Sequence, residues 1–293
     1  MIVKLENELL KVLSSNNGAE LISIKGKQDN IEYLWTADSK YWGRHSPILF
    51  PIVGRLKDDK YRIGQQEFKL NQHGFARDCE FELVENKDNN IIYRLTSCNE
   101  SLKKYPYKFE LYVEYNLNQN NLEVKYKVKN IDNKKIYFSI GAHPGFNCPL
   151  LEGEDMEDYY LEFNKNENAR REIFDQDLHL YTGESKVVLK DSNILKLSKE
   201  LFTQDALVFK NLNSNKVALK SNSNNKVLTM DFEGFPYLGI WSRSDEAPFV
   251  CIEPWFGHAD SIDFNGDYTE KPGVIHLEIG QEFNCSYNVS IEQ

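Results

Sequence analysis

The chain has 293 residues, of which 35 are basic and 45 acidic, so its net charge is −10. A diffuse acidic surface repels phosphate backbones and anionic lipid headgroups, and we therefore expect neither nucleic acid nor membranes as partners. A hydrophobic content of 41% indicates a globular chain, long enough for one large domain or two ordinary ones.

Alternation of apolar and polar residues is the dominant pattern along the chain, and it predicts strands. Asparagine-rich turns after Leu117 and Leu219 predict two hairpins. Short helices are expected around Ser101–Tyr105 and Ser198–Phe202. The predicted strands, in chain order, are Leu21–Ile24, Ile91–Thr96, Phe109–Leu117, Leu122–Val128, Ile136–Ile140, Val217–Leu219, Val227–Phe232, Tyr237–Trp241 and Phe283–Ile291.

The order of these elements indicates the fold class. The sequence has no alternation of strands and helices, no repeat of fixed period and no linker rich in proline and glycine. Many strands joined by short polar turns favour a mainly β fold, a large antiparallel β-sandwich. We expect one domain over residues 1–293, although two stacked β modules would have the same periodicity.

The first residues and the cysteines bear on the compartment. Charges at Lys4 and Glu6 come too early for the apolar core of a signal peptide, and no apolar run approaches the roughly 20 residues of a membrane span. The five cysteines are odd in number and include no C-x-x-C pair, so neither disulfides nor a metal site is indicated. We therefore predict a cytoplasmic protein with reduced thiols.

Four segments read neither as ordinary strands nor as ordinary turns. Each places an ionisable side chain beside glycine, proline and aromatic residues, a combination that is typical of functional loops. They are Phe50–Arg55 (FPIVGR), Asn71–Asp78 (NQHGFARD), Gly141–Asn147 (GAHPGFN) and Cys251–Asp260 (CIEPWFGHAD).

Each segment taken singly also has a purely structural interpretation. His73 fits a turn, His143 fits the end of a strand, and Arg55 fits a surface turn. Glu253 is different, because it follows the apolar run Phe249–Ile252 and precedes a proline. A carboxylate that enters a core is costly unless it has a purpose, so the structural interpretation is weakest for Glu253.

Taken together and in this order, the segments resemble the aldose 1-epimerase family, and most closely its bacterial branch that includes the LacX-like proteins. The resemblance extends from about Gly18 to the last strands. A single block would not be specific, but the combination is. The matching blocks are Arg55 in a Gly-Arg pair, His73-Gly-Phe75, His143-Pro-Gly-Phe-Asn147, Asp205 before a strand in QDALVF, and Ile252-Glu-Pro254.

The resemblance implies a fold, a reaction and a set of site residues. The fold is the galactose mutarotase-like supersandwich, and the reaction interconverts the α and β anomers of an aldohexose without metal or other cofactor. Glu253 is then the base at the anomeric O1 and His143 the acid at the ring oxygen O5. The family's sugar-binding positions match His73, Arg55 and Asp205.

Aromatic residues near these blocks are candidate surfaces for the C–H face of a sugar. They are Trp42, Phe146 and Trp255, for each of which core packing is an equally good interpretation. The stretch His258–Asp260 follows Glu253 closely and is a candidate support for the site.

The substrate is less well defined than the chemistry. The glutamate block continues as WFGHAD and the loop before His73 is short, and both features differ from the better-known galactose mutarotases. We expect a free aldohexose and a monomer or homodimer. The alternatives are a hexose-6-phosphate 1-epimerase that uses Arg44, Arg55 and Arg77, a non-catalytic carbohydrate-binding protein, and a glycosidase, which would need a second carboxylate such as Asp205.

Overall fold

The structure is a computed structural model that describes residues 1–243 and 247–292. About half of the chain is strand. Every ladder between strands in the described residues is antiparallel. In these residues no helix is long and apolar enough to cross a membrane.

The largest sheet has nine strands and contains both predicted hairpins, which are confirmed. One face of its central strands is buried and the other is partly exposed, which explains the alternating sequence. In spatial order the strands are β17 (Ser192–Lys196), β14 (Tyr159–Glu167), β19 (Lys216–Ser221), β20 (Val227–Asp231), β24 (Glu282–Glu292), β10 (Asn121–Asn130), β9 (Phe109–Asn118), β8 (Asn90–Thr96) and β7 (Glu82–Lys87).

A second sheet of six strands carries the polar segments of interest. Its central strand is buried over almost its whole length, which explains the continuous apolar run before Glu253. The order is β18 (Leu207–Lys210), β21 (Tyr237–Trp241), β22 (Phe249–Phe256), β12 (Ile140–Ala142) and β4 (Ile48–Leu49), and β13 (Gly145–Asn147) also pairs with β22.

Smaller elements complete the described part of the chain. A three-stranded sheet contains β1 (Ile2–Glu6), β2 (Leu10–Ser15) and β3 (Leu21–Gly26). The two-stranded pairs are β5 (Lys60–Ile63) with β6 (Gln66–Lys69), β11 (Ile136–Phe138) with β23 (Ile275–Leu277), and β15 (Arg170–Phe174) with β16 (Tyr181–Val187). The helices are α1 (Asn99–Lys104) and the 3₁₀ turns Lys57–Asp59, Ala76–Asp78, Met156–Asp158, Lys199–Phe202 and Tyr268–Glu270.

One predicted strand, Ile136–Ile140, is two strands in the structure. The break is at Ser139, whose N–H donates to the carbonyl of Pro51 at 2.7 Å instead of to a strand. Gly257 approaches Ser139 so closely that a Cβ on Gly257 would lie 2.3 Å from the serine Oγ. The chain therefore changes sheets at Ser139, from β11 to β12.

The hydrophobic core lies between the two large sheets. One cluster of buried residues contains Leu111 and Val124 of the nine-stranded sheet together with Ile240 and Ile252 of the six-stranded sheet. The prediction of a mainly β, antiparallel sandwich is therefore confirmed. The expectation of a single domain over residues 1–293 remains a prediction.

Candidate active site

A cavity of about 520 Å³ opens beside the six-stranded sheet. Its volume lies within the range of about 300–1,000 Å³ that small-molecule sites occupy. The fold brings together side chains from six separate parts of the sequence, and seven of the eight predicted site residues line the cavity. These seven are Trp42, Arg55, His73, His143, Asp205, Glu253 and Trp255.

Strand register explains why His143 and Glu253 meet. β12 pairs with β22 at Gly141 and Trp255, and the same antiparallel register places His143, two residues after Gly141, opposite Glu253, two residues before Trp255. The same register resumes in β13, beyond His143. Residues directly opposite in an antiparallel pair point to the same face. As a result, His143 Nε2 and Glu253 Oε2 are 3.2 Å apart.

The Trp255 indole forms the wall of the cavity next to this pair, and two glycines make room for it. A Cβ on Gly141 would lie 2.6 Å from the indole Cδ1, and a Cβ on Gly239 would lie 2.7 Å from its six-membered ring. The indole N–H donates to the carbonyl of Ala142 at 3.2 Å. The ring therefore spans from β12 to β21 in a fixed orientation.

Burial changes the proton affinity of both members of the pair in opposite directions. Desolvation, and secondly the negative charge of Asp205, raises the pKa of the Glu253 carboxyl well above its usual 4.5. Desolvation also lowers the pKa of the His143 imidazole from 6.5 to about 3. The pair therefore holds one proton over a wide pH range, and in the empty cavity both shifts favour its lying on Glu253, 3.2 Å from His143 Nε2.

The hydrogen bonds of His73 fix its tautomer. Its Nδ1 accepts from the Gly54 N–H at 3.2 Å, so its proton must lie on Nε2. Burial, followed by the charges of His143, Arg77 and Arg44, lowers the pKa of His73 well below 6.5. The His73 and His143 rings are perpendicular, with centroids 5.5 Å apart. His73 is therefore a neutral N–H donor beside the pair.

Arg55 is held by two partners at the cavity wall. Its Nε and its terminal nitrogen contact the two oxygens of Asp59 at 2.9 and 3.0 Å, a bidentate pair. A third guanidinium nitrogen donates to the carbonyl of Leu178 at 3.4 Å. The guanidinium thus has a defined position, with its charge partly balanced by Asp59.

Asp205 has a histidine partner that the sequence analysis did not assign to the site. The Asp205 carboxylate contacts Nδ1 of His179 at 2.7 Å, and His179 also lines the cavity. Asp205 adopts a left-handed backbone with φ of 67°, which is uncommon outside glycine. The buried Arg171 stabilises the preceding loop by donating to the carbonyls of Leu201 and Gln204.

Two tryptophans form an aromatic wall around His143. The ring of Trp42, a predicted stacking residue, lies 4.8 Å from the imidazole, and the ring of Trp241 lies 5.6 Å from it. Both line the cavity, together with Trp255. Trp241 was predicted only as a strand residue, because its proximity to His143 depends on the pairing of β21 with β22.

The prediction that Phe146 is a stacking surface is wrong. Phe146 is fully buried in the main core cluster and does not line the cavity. Successive strand residues point to opposite faces, and Phe146 is three positions after His143. Its side chain therefore points away from the face that carries the His143 and Glu253 pair.

Ala259 of the stretch His258–Asp260 lines the cavity, and His258 and Asp260 lie behind the cavity wall. The His258 ring packs 5.2 Å from the ring of Tyr181, which lines the cavity. The Asp260 carboxylate accepts from the N–H of Lys57 at 2.9 Å and pairs with the buried ammonium of Lys271 at 2.9 Å. Asp260 thus fixes the backbone that follows Arg55.

A possible group of metal ligands was not evident from sequence spacing. The side chains of His143, Cys251 and Glu253 place their ligand atoms within 4.8 Å of one another, and all three residues are buried. Cys251 precedes Glu253 by two positions on β22, so both point to the same face. His143 is distant in sequence, and only strand register brings it to the other two.

Comparison with known proteins gives a consistent assignment. A sequence model described as aldose 1-epimerase matches residues 1–275. The chromosomal LacX protein of Lactococcus lactis is 38% identical over 299 residues, covering 99% of each chain.

Solved structures agree over the full length. A galactose mutarotase related enzyme from Lactobacillus acidophilus has a TM-score of 0.95 at 37% identity and covers 100% of this chain and 98% of its own. A galactose mutarotase-like protein from Lactobacillus casei has a TM-score of 0.93 at 32% identity and covers 100% of both chains. The predicted galactose mutarotase-like fold is therefore confirmed. Since both the sequence model and the relatives cover nearly all of it, this chain belongs to the aldose 1-epimerase family, whose members are carbohydrate epimerases.

Proposed function

We propose that the protein is an aldose 1-epimerase that interconverts the α and β anomers of a free aldohexose. The observation that carries the proposal is the buried pair of Glu253 and His143, which face each other at 3.2 Å in the wall of a sugar-sized cavity. A carboxylate and an imidazole are the groups that ring opening needs, one at each oxygen of the anomeric carbon.

The proposed reaction transfers two protons in each direction. With the proton of the pair on His143, the Glu253 carboxylate removes the proton of the anomeric hydroxyl O1 while His143 donates its proton to the ring oxygen O5, and the C1–O5 bond breaks. Rotation about C1–C2 then presents the other face of the aldehyde. For closure, Glu253 returns its proton to O1, His143 takes the proton from the O5 hydroxyl, and the C1–O5 bond forms again. The enzyme pair holds one proton before and after each step.

The other cavity residues bind and orient the sugar in this proposal. The Nε2–H of His73 donates to a sugar oxygen next to the reacting centre and stabilises developing negative charge. Arg55 and Asp205 bind hydroxyl groups through charge-assisted hydrogen bonds. Trp42, Trp241 and Trp255 provide apolar surface for C–H groups. All five cysteines are free thiols, which supports a cytoplasmic location as part of the proposal.

Direct measurement of anomer exchange tests the proposal. Freshly dissolved α-glucose, α-galactose and other aldohexoses relax to equilibrium in a polarimeter with and without the protein. We expect a relaxation rate above that of buffer and proportional to protein concentration for at least one neutral aldohexose. A rate equal to that of buffer for every neutral and phosphorylated hexose would contradict the proposal and favour a non-catalytic carbohydrate-binding protein.

One observation favours a phosphorylated substrate as the second candidate. Arg77 lines the cavity, and its buried Nε has no hydrogen-bond partner in the described part of the chain. The other two arginines considered for a phosphate site are neutralised, since Arg55 pairs with Asp59 and Arg44 pairs with Asp78 at 2.7 Å. A phosphate site needs two or three converging cationic side chains, and of these three arginines only Arg77 has no carboxylate partner in the described residues, so the neutral sugar stays the first candidate.

Replacing Arg77 with glutamine distinguishes the two substrates. If the sugar is neutral, the variant loses activity by similar factors on glucose and glucose 6-phosphate, because no phosphate is bound. Both rates are measured by polarimetry, and Arg44→Gln serves as a matched control outside the cavity lining. A loss confined to the phosphorylated sugar, with wild type already preferring it, would reverse the substrate assignment.

The pH dependence follows from the protonation of the pair. The active free enzyme carries one proton on the pair, so activity falls when His143 takes a second proton or when Glu253 loses its proton. Because the pKa of His143 is lowered to about 3, we expect the acid limb of kcat/KM near pH 3 and not near 6.5. The raised pKa of Glu253 places the alkaline limb well above 4.5.

This profile is measured as enzyme-dependent anomer exchange at each pH, after the buffer rate has been subtracted. Tryptophan fluorescence at each pH establishes that the protein is folded. An acid limb centred on the ordinary histidine value, in protein that is still folded, would contradict a desolvated pair.

A further inference from the structure

We propose that a thiophilic divalent cation, with zinc as the best fit, binds to His143, Cys251 and Glu253 and inhibits the enzyme by occupying its proton-transfer pair. The binding site is an inference from geometry alone. The inhibition rests on the proposed epimerase function, because it requires that His143 and Glu253 move protons.

The separation of the pair matches that of two zinc ligands. Two ligand atoms about 2.0–2.1 Å from a tetrahedral zinc ion are about 3.3 Å apart. His143 Nε2 and Glu253 Oε2 are already 3.2 Å apart. An ion can therefore bridge these atoms with almost no rearrangement of either side chain.

Cys251 provides the third ligand from the same strand. Its Sγ lies within 4.8 Å of a ring nitrogen of His143 and of a carboxylate oxygen of Glu253, and a tetrahedral ion needs about 3.6 Å between sulfur and a nitrogen or oxygen ligand. A small rotation of the Cys251 side chain closes that difference. On binding, the thiol proton and the proton held by the His143 and Glu253 pair are both released to solvent, and the thiolate sulfur, the imidazole nitrogen and the carboxylate oxygen ligate the ion. Cavity water can take the fourth position.

The Glu253 carboxylate is an incomplete polar site without an ion. Glu253 is 1% exposed, and apart from the 3.2 Å contact with His143 Nε2 its Oε2 has no polar partner within residues 1–243 and 247–292. A buried oxygen without a partner is costly, so a ligand that satisfies it binds favourably. The donor set of one sulfur, one nitrogen and one oxygen suits zinc and cobalt better than magnesium or calcium.

The site predicts inhibition and not activation. Ring opening uses the Nε2 of His143 and the carboxylate of Glu253 as proton carriers, and a bound cation engages both. The sugar and the cation therefore compete for the same atoms. Removing metal should leave activity unchanged or raise it, whereas a cofactor site would lose activity on chelation.

The test uses cobalt as a spectroscopic probe of the full chain. Chelator-treated wild-type protein titrated with Co²⁺ should develop the visible bands of tetrahedral cobalt and a sulfur-to-cobalt charge-transfer band, and Zn²⁺ should displace them. Cys251→Ser should lose the charge-transfer band and need at least about tenfold more Zn²⁺ for half inhibition. It should retain most of its epimerase activity. Cys98→Ser, which removes an exposed thiol, should behave as wild type.

A measurement on wild type covers the case in which Cys251→Ser folds poorly. Glucose, or whichever aldohexose the enzyme accepts, should raise the Co²⁺ concentration needed for half-maximal absorbance. An unchanged charge-transfer band in Cys251→Ser would overturn the site, as would cobalt binding that is indifferent to sugar. Loss of activity on chelation, restored by zinc, would overturn the inhibitory role. If the protein has no epimerase activity but shows cobalt bands that depend on Cys251, the metal site is supported and the proposed function is refuted.

Discussion

Replacing Glu253 with glutamine is expected to lower kcat by about 10²–10⁴-fold, the range for loss of a general base. The amide has the same shape as the carboxyl group but cannot accept the O1 proton. The same change should alter the free energy of unfolding little, because the amide has the size of the carboxyl group and can still donate to His143 across the 3.2 Å gap. Kinetics by polarimetry and urea denaturation measure both quantities.

Glu167 offers a matched control for this variant. It is also buried, but away from the cavity, and its oxygens accept from the N–H groups of Ser214 at 2.6 Å and Asn213 at 3.2 Å. Glu167→Gln should reduce stability by about 1–3 kcal/mol and leave the activity of the folded protein unchanged. Near-normal turnover of Glu253→Gln would remove Glu253 from the mechanism.

Replacing Asp260 with asparagine is expected to cost about 3–5 kcal/mol of stability. The side chains of Asp260 and Lys271 are 4% and 2% exposed, and their charged atoms are 2.9 Å apart. The substitution leaves the Lys271 ammonium buried without a negative partner. It also weakens the hydrogen bond from the N–H of Lys57, which follows Arg55 closely. Urea denaturation measures the loss of stability.

Two further variants separate this effect from a general loss of charge. Lys271→Met combined with Asp260→Asn removes the buried, unpaired ammonium charge and should recover part of the free energy of unfolding. Glu82→Gln breaks an exposed pair with Arg94 and should cost less than about 1 kcal/mol. If Asp260→Asn lowered the free energy of unfolding no more than Glu82→Gln does, the buried ion pair would not stabilise the fold as its geometry implies.

Periodicity predicted much of the nine-stranded sheet, because its strands have one buried and one exposed face. It missed β7, β14 and β17 of that sheet, although β14 alternates between buried and partly exposed residues over its first five positions. Ile136–Ile140 was predicted as one strand because an apolar run does not show that the chain changes sheets at Ser139. Such a break depends on the close approach of Gly257, which is a contact distant in sequence.

Sequence motifs predicted some residues of the site and missed others. Motifs placed His143 and Glu253 in the site, but only the pairing of β12 with β22 sets them face to face. The parity of strand residues could have excluded Phe146, which is an odd number of positions from His143. His179 has no comparable signal, because its contact with Asp205 joins the tip of one hairpin to a loop before another strand.

The ladder between β22 and its neighbours also affects how this site can evolve. Glu253 lies in β22, and His143 lies in the two-residue link between β12 and β13, both of which pair with β22. Four binding residues lie in longer connections between strands, and these are Arg55, His73, His179 and Asp205. Loops tolerate substitution, insertion and changes of length far better than paired strands do. Mutation can therefore alter which sugar is recognised while the spacing of acid and base stays constant. One scaffold of this kind can supply epimerases for several sugars, and laboratory evolution of specificity should begin in those loops.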